Sequence, residues 1–131
     1  MKDKLLNLHK FSYVPISNFP VSAIVVTKDG LEFNGVNVED ASTRAGSCAE
    51  RSAIFNAISN GKREFSELNI MTSSKKISTP CFVCRQLIYE FFEKDAIIRC
   101  FNTSGEYKEY TVEELCPYPF SEDDLKWRQV L

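Results

Sequence analysis

Two short cysteine clusters constrain this chain more than any other feature. Cys48-Ala49-Glu50 comes first, and Pro80-Cys81-Phe82-Val83-Cys84 follows after enough sequence for a helix and a strand. Each cluster precedes an apolar run with helical spacing, so two helix starts have to meet if the thiols are to act together. Thiols bind Zn²⁺ only as thiolates, and the partial positive charge of a helix N-terminus favours that form. Three sulfur ligands leave the fourth tetrahedral position for water, whereas structural zinc sites usually close with four protein ligands. Glu50, two residues from the first thiol, is poised as a proton carrier rather than a ligand. A lone Cys-x-x-Cys could equally be a redox pair or part of a zinc ribbon. The upstream Cys-x-Glu and the proline before the second cluster favour the open site.

Charge counting adds a candidate. Three thiolates and Zn²⁺ leave one net negative charge, and ionised Glu50 adds a second. Such a centre acidifies water less readily than one held by neutral imidazoles, so compensation is needed. The two helix starts and Arg51 are the nearest sources, and Arg51 is expected to hydrogen-bond one or two of the thiolates.

The remaining composition sets limits. A chain of 131 residues suits one domain, taken as 1–131, with a single core. Its formal net charge of −2, without a run of Lys or Arg, argues against a nucleic-acid partner, which would need a basic stripe. No apolar stretch approaches the ~20 residues that cross a bilayer, so no membrane partner is expected. The N-terminal stretch Met1–Tyr13 carries lysines but too short an apolar segment for a signal peptide. Five cysteines, an odd number with three in the clusters, suit a reducing setting, and the cytoplasm is the expected compartment.

The periodicity predicts an α/β fold. Residues 2–10 read as a short helix and Phe11–Pro20 as a loop. Val21–Val26 is β-branched enough for a buried strand, with Leu31–Val38 returning across the Asp29-Gly30 turn. Ala49, Ala53, Ile54, Ala57 and Ile58 mark an amphipathic helix from Cys48 to about Asn60, stopped near Gly61. Leu68–Met71 is the next strand, and a second helix from Pro80 or Cys81 carries Leu87, Ile88, Phe91 and Phe92 inward. Ala96–Phe101 and Tyr107–Val112 complete the order β-β-α-β-α-β-β. This is a three-layer α/β/α arrangement around a mixed sheet of about five strands.

With their neighbours, these residues resemble the short, homotetrameric cytidine deaminases of the zinc-dependent cytidine/deoxycytidylate deaminase family. The resemblance runs over Tyr13–Val21, Gly35–Ser42, Cys48–Arg51, Pro80–Gln86 and Thr111–Phe120. It implies one Zn²⁺ per subunit on Cys48, Cys81 and Cys84, with Glu50 as the catalytic acid–base. By the same resemblance Asn37 and Glu39 hydrogen-bond ribose, Phe19 packs on base or sugar, and Phe120 reaches a neighbouring subunit's pocket. Backbone near Ala49 and Thr79 could fix the base. The implied activity is hydrolysis of cytidine and deoxycytidine to uridine and deoxyuridine with release of ammonia. The implied partners are a pyrimidine nucleoside and three further copies of the chain that share active sites.

Four positions depart from the family pattern. Ile16 stands where tyrosine is usual, Ser22 replaces a glycine, Thr43 replaces an aromatic, and Phe82 takes the place of a small glycine. Two rival readings remain at this stage. One keeps the chemistry on an aminonucleoside antibiotic or a polynucleotide base. The other is a structural zinc module closed by Cys100 or Cys116, although both thiols read more simply as buried. His9, the one histidine, reads as a surface residue.

Overall fold

The computed structural model describes residues 1–125. Five strands form one mixed sheet in the order β2-β1-β3-β4-β5. β1 (Val21–Thr27) and β2 (Glu32–Val36) make the expected hairpin, with Gly30 at φ +90 in the turn, a conformation that suits glycine. β1 also pairs antiparallel with β3 (Phe65–Thr72). β3 runs parallel to β4 (Phe92–Phe101), and β4 pairs antiparallel with β5 (Tyr107–Tyr110). A parallel pair needs a crossover, which α3 (Phe82–Phe91) supplies.

Side chains alternate across the sheet with period two, and two cores result. Ala23, Val25, Leu68, Ile70, Ile98 and Cys100 face one side. There they meet Ala49, Ala53, Ile54 and Ala57 of α2 (Ala49–Ser59), Ile88 of α3, and Val112 and Leu115 of α4 (Val112–Leu115). Ile24, Met71 and Phe101 face the other side and pack on Leu5 of α1 (Lys2–Leu8). Helices therefore cover both faces, as the three-layer expectation requires.

α2 ends as its sequence suggests. Gly61 takes φ +83, its N–H bonds Ile58 O at 2.9 Å, and the Lys62 N–H reaches Ala57 O at 3.0 Å. This crossed pair satisfies carbonyls that the last turn would otherwise leave open.

Other boundaries differ. Phe92 opens β4 instead of closing the second helix, and it stays buried against Phe65 with ring centroids 5.1 Å apart. The exposed Glu93-Lys94-Asp95 that follows hides the early strand from a reading based on apolar runs. Ser66 and Glu67 mask the start of β3 in the same way. The last strand stops at Tyr110 because Thr111 caps α4. Its side chain accepts from the Glu114 N–H while Glu114 Oε1 accepts from the Thr111 N–H, at 3.1 and 2.9 Å. The Thr-x-x-Glu signature of this capping box was present in the sequence.

Candidate active site

Cys48 and Cys81 are the N-cap residues of α2 and α3, both with extended backbone. An N-cap side chain usually accepts a hydrogen bond from the first helical turn. Neither sulfur does so. Both turn instead towards Cys84, in the first turn of α3, and the three ligand atoms lie within 4.8 Å of one another. Cys48 and Cys81 sulfurs are 3.9 Å apart, and those of Cys81 and Cys84 are 3.4 Å apart. Zn–S bonds of about 2.3 Å in a tetrahedron require sulfurs roughly 3.8 Å apart, so the donor set fits one zinc ion. Burial is graded across it, with Cys81 exposed, Cys48 intermediate and Cys84 buried.

The electrostatics describe crowded thiols. Hydrogen bonding with Cys84 draws the Cys48 thiol down to about 5, with Arg51 adding to the pull against the cost of burial. Cys84 moves the opposite way, raised by its hydrogen bond with Cys48, by burial and by the charge of Glu50. One thiolate forms readily and then opposes the next, a conflict that a bound cation resolves. Arg51 Nη2 donates to Cys48 Sγ at 3.4 Å. Glu50, only 5% exposed, has its carboxyl raised above the usual range, chiefly by burial.

These groups border a cleft of about 380 Å³. Its lining brings together Phe19, Asn37, Glu39, Cys48, Ala49, Glu50, Thr79 and Cys81. Thus every proposed metal, acid–base and nucleoside contact except Cys84, Arg51 and Phe120 lines one hollow. Cys84 completes the sulfur group from beneath the surface, and Arg51 lines an adjoining hollow with Ile16, Thr43 and Glu39. Phe120 lines a separate hollow with Phe82, Arg85 and Gln86, its side chain 54% exposed.

Asn37 and Glu39 have structural duties that the sequence did not reveal. Asn37 Oδ1 accepts from the Val21 N–H and Nδ2 donates to Phe19 O, both at 2.9 Å. Glu39 Oε1 accepts from the Ile16 and Ser17 N–H groups at 2.9 and 3.1 Å. Together they fold the Ile16–Val21 loop against the mouth of the cleft. Hydrogen bonding to Ser17 holds the Glu39 carboxyl below its usual range, so it stays ionised in neutral solution.

Three residues that sequence reading did not single out also line the cleft: Ile70 and Thr72 at the end of β3, and Ser78 in the following loop. The carboxyl ends of parallel strands are habitual ligand sites, which was the available signal. His9 departs from its expected free surface position. It is half-buried, with Nε2 3.0 Å from Met71 O, so it pins α1's exit to the sheet. Cys100 and Cys116 lie outside the three-sulfur group; Cys100 sits in the core, and Cys116 Sγ donates to Arg85 O at 3.3 Å.

Residues 1–100 match the family model of the cytidine and deoxycytidylate deaminase zinc-binding region. The chain is similar to a cytidine deaminase of Sporosarcina psychrophila, 38% identical over 116 residues that cover 88% of this chain and 85% of that protein. It is also similar to one from Halalkalibacterium halodurans, 38% identical over 114 residues covering 87% and 86%. The crystal structure of cytidine deaminase from Burkholderia pseudomallei superposes with a TM-score of 0.85 at 33% identity, covering 90% of this chain and 94% of that one.

Proposed function

The chain belongs to the cytidine and deoxycytidylate deaminase zinc-binding family, and from that premise we propose that residues 1–131 form one catalytic domain that hydrolyses cytidine and deoxycytidine to uridine and deoxyuridine, releasing ammonia. The observation that carries the reading is the buried carboxyl of Glu50 beside three convergent sulfurs in an open cleft. The lining also bears on substrate charge. Among the described residues it contains Glu39 and Glu50 and neither lysine nor arginine. A 5′-phosphate would meet carboxylates with no counter-charge, whereas an uncharged nucleoside would not. Arg51 in the adjoining hollow is committed to Cys48.

Cys48, Cys81 and Cys84 would hold the zinc ion, one per subunit. Bound there, zinc supplies Lewis acidity that lowers the pKa of water from ~15.7 towards ~7 in favourable sites. Arg51 and the two helix N-termini offset the surplus negative charge of the thiolates. Glu50 would take one proton from the attacking water and deliver it to a ring nitrogen. It would then take the second from the hydroxyl left on the ring carbon and pass it to the amine, which departs as ammonia. Positioned acid–base groups of this kind contribute ~10²–10⁴-fold to rate. Burial suits the role, because it strengthens the hold of Glu50 on each proton in transit.

Asn37 keeps a second amide hydrogen, and Glu39 keeps its Oε2, for ribose hydroxyls. Phe19 packs on the base or sugar, and backbone at Ala49 borders the base. The exposed side chain of Phe120 suits a contact with another subunit's cleft, as a homotetramer with shared sites requires. An odd cysteine count, with three of the five assigned to zinc, supports a reducing compartment such as the cytoplasm. No helix among the described residues is long and apolar enough to cross a membrane.

The deciding experiment assays the zinc-loaded protein on cytidine, deoxycytidine, CMP, an aminonucleoside antibiotic and a cytosine-containing oligonucleotide side by side. The reading expects the two nucleosides to be turned over with the highest kcat/KM. Preference for CMP, the antibiotic or the oligonucleotide would contradict it.

A further inference from the structure

We propose that Arg85 is a positioning residue for this reaction, holding the Thr79–Pro80 wall of the cleft in place and tying that wall to the segment carrying Phe120. The proposal rests on the deaminase reading and concerns a residue outside the metal and acid–base groups. Arg85 follows Cys84 on α3, and its guanidinium spans three stretches of chain. Nε donates to Pro80 O at 2.7 Å, Nη2 to Thr79 Oγ1 at 2.7 Å, and Nη1 to Leu115 O at 3.0 Å. Thr79 and Pro80 belong to the irregular run before α3 and line the cleft beside Ala49 and Glu50. The bonds holding the Thr79 hydroxyl and the Pro80 carbonyl therefore come from one side chain.

The fork is itself held. The Phe82 ring stacks on the guanidinium, with Cζ 4.3 Å from the ring centroid, a contact available because the two residues share a helix face at i, i+3. Phe82 is the bulky residue that stands where the family pattern has a small glycine, so in this chain the position supplies a cover for Arg85. On the far side, Cys116 Sγ donates to Arg85 O at 3.3 Å. The neighbouring Gln86 Nε2 donates to Phe120 O at 2.6 Å. One turn of α3 thus fastens the Leu115–Phe120 segment behind the wall. Lysine could replace the charge but not the planar fork that reaches three acceptors at once.

A wall that borders the bound ring affects where the ring sits before it affects the chemistry at zinc. The test compares zinc-replete wild type with Arg85→Lys, Thr79→Val and the double variant, at equal zinc per subunit. Arg85→Lys is expected to raise the KM for cytidine ~10-fold while kcat per zinc changes less than ~3-fold. Thr79→Val, which leaves the bonds to Pro80 and Leu115 intact, should raise KM by a smaller factor, ~3-fold. Because both act through one link, the double variant should be no worse than Arg85→Lys. Unchanged KM with only lower melting temperature or lost zinc would overturn the proposal, as would multiplicative KM increases in the double variant. Should Arg85→Lys fail to accumulate, Thr79→Val decides alone, and an unchanged KM there counts against the link. Inactivity of the wild type on every cytosine compound would instead contradict the deaminase reading itself.

Discussion

A carboxyl group only 5% exposed is expensive to keep, and Glu50 is kept at the first turn of α2, two residues from a thiol that ionises easily. Desolvation opposes its charge and raises its carboxyl above the usual range, with Arg51 pulling the other way, a balance that suits a proton carrier. Glu50→Gln preserves shape but cannot carry a proton. Its turnover of cytidine should fall at least ~10²-fold with zinc content unchanged, measured by ammonia release and metal analysis. Cys100 gives a separate prediction. Burial pushes its thiol up to about 12 from an ordinary 9.0. The folded state then holds a proton that the unfolded chain releases, so this contribution is complete below pH 9.0 and is lost as pH rises towards 12. Urea unfolding of zinc-loaded Cys100→Ala should show a shallower alkaline loss of stability than wild type; equal slopes would contradict this. The candidate metal ligands and Glu50 were legible because each cluster carries its own short motif, Cys-x-Glu and Cys-x-x-Cys. The second duties of Asn37 and Glu39, and the bond from His9 to Met71, were not, since each joins stretches far apart in sequence.

Elements bring these residues to one point. α2 crosses β2 closely because Gly35 has no side chain: a Cβ there would run into Ala53 N and Ala49 O. That approach sets the first turn of α2, with Cys48 and Glu50, beside the strand that leads to Asn37 and Glu39. Gly35→Ala should cost ~1–3 kcal/mol by overpacking and should lower kcat/KM as well, because the helix start must shift. Thermal unfolding and steady-state kinetics check both, and an unchanged kcat/KM would show that the close approach serves stability alone. At this scale the order of elements along the chain and both long helices were readable from periodicity. Strand starts bearing Ser66-Glu67 and Glu93-Lys94-Asp95 were not, because polar residues break the apolar run without breaking backbone pairing. α4 was overlooked although its capping box is written in the sequence.

The whole molecule joins a metal-binding group on one sheet face to an aromatic C-terminal segment that its own cleft does not use. Tyr118 and Phe82 are exposed beside Phe120, and apolar surface of this kind suits burial by another subunit. If the proposed tetramer completes the cleft, specific activity should fall on dilution below the subunit dissociation constant, in step with the mass seen by sedimentation. Constant activity across that transition would show that one chain suffices. Neither the order of assembly nor the owner of Phe120's pocket is written in a single sequence, because both depend on surfaces of separate copies. The central claim is narrower: three sulfurs hold the zinc, and no fourth protein sulfur closes it. Zinc-edge X-ray absorption on the purified, zinc-loaded protein measures this directly. Three sulfurs and one oxygen or nitrogen in the first coordination sphere are predicted, whereas four sulfurs would contradict the account.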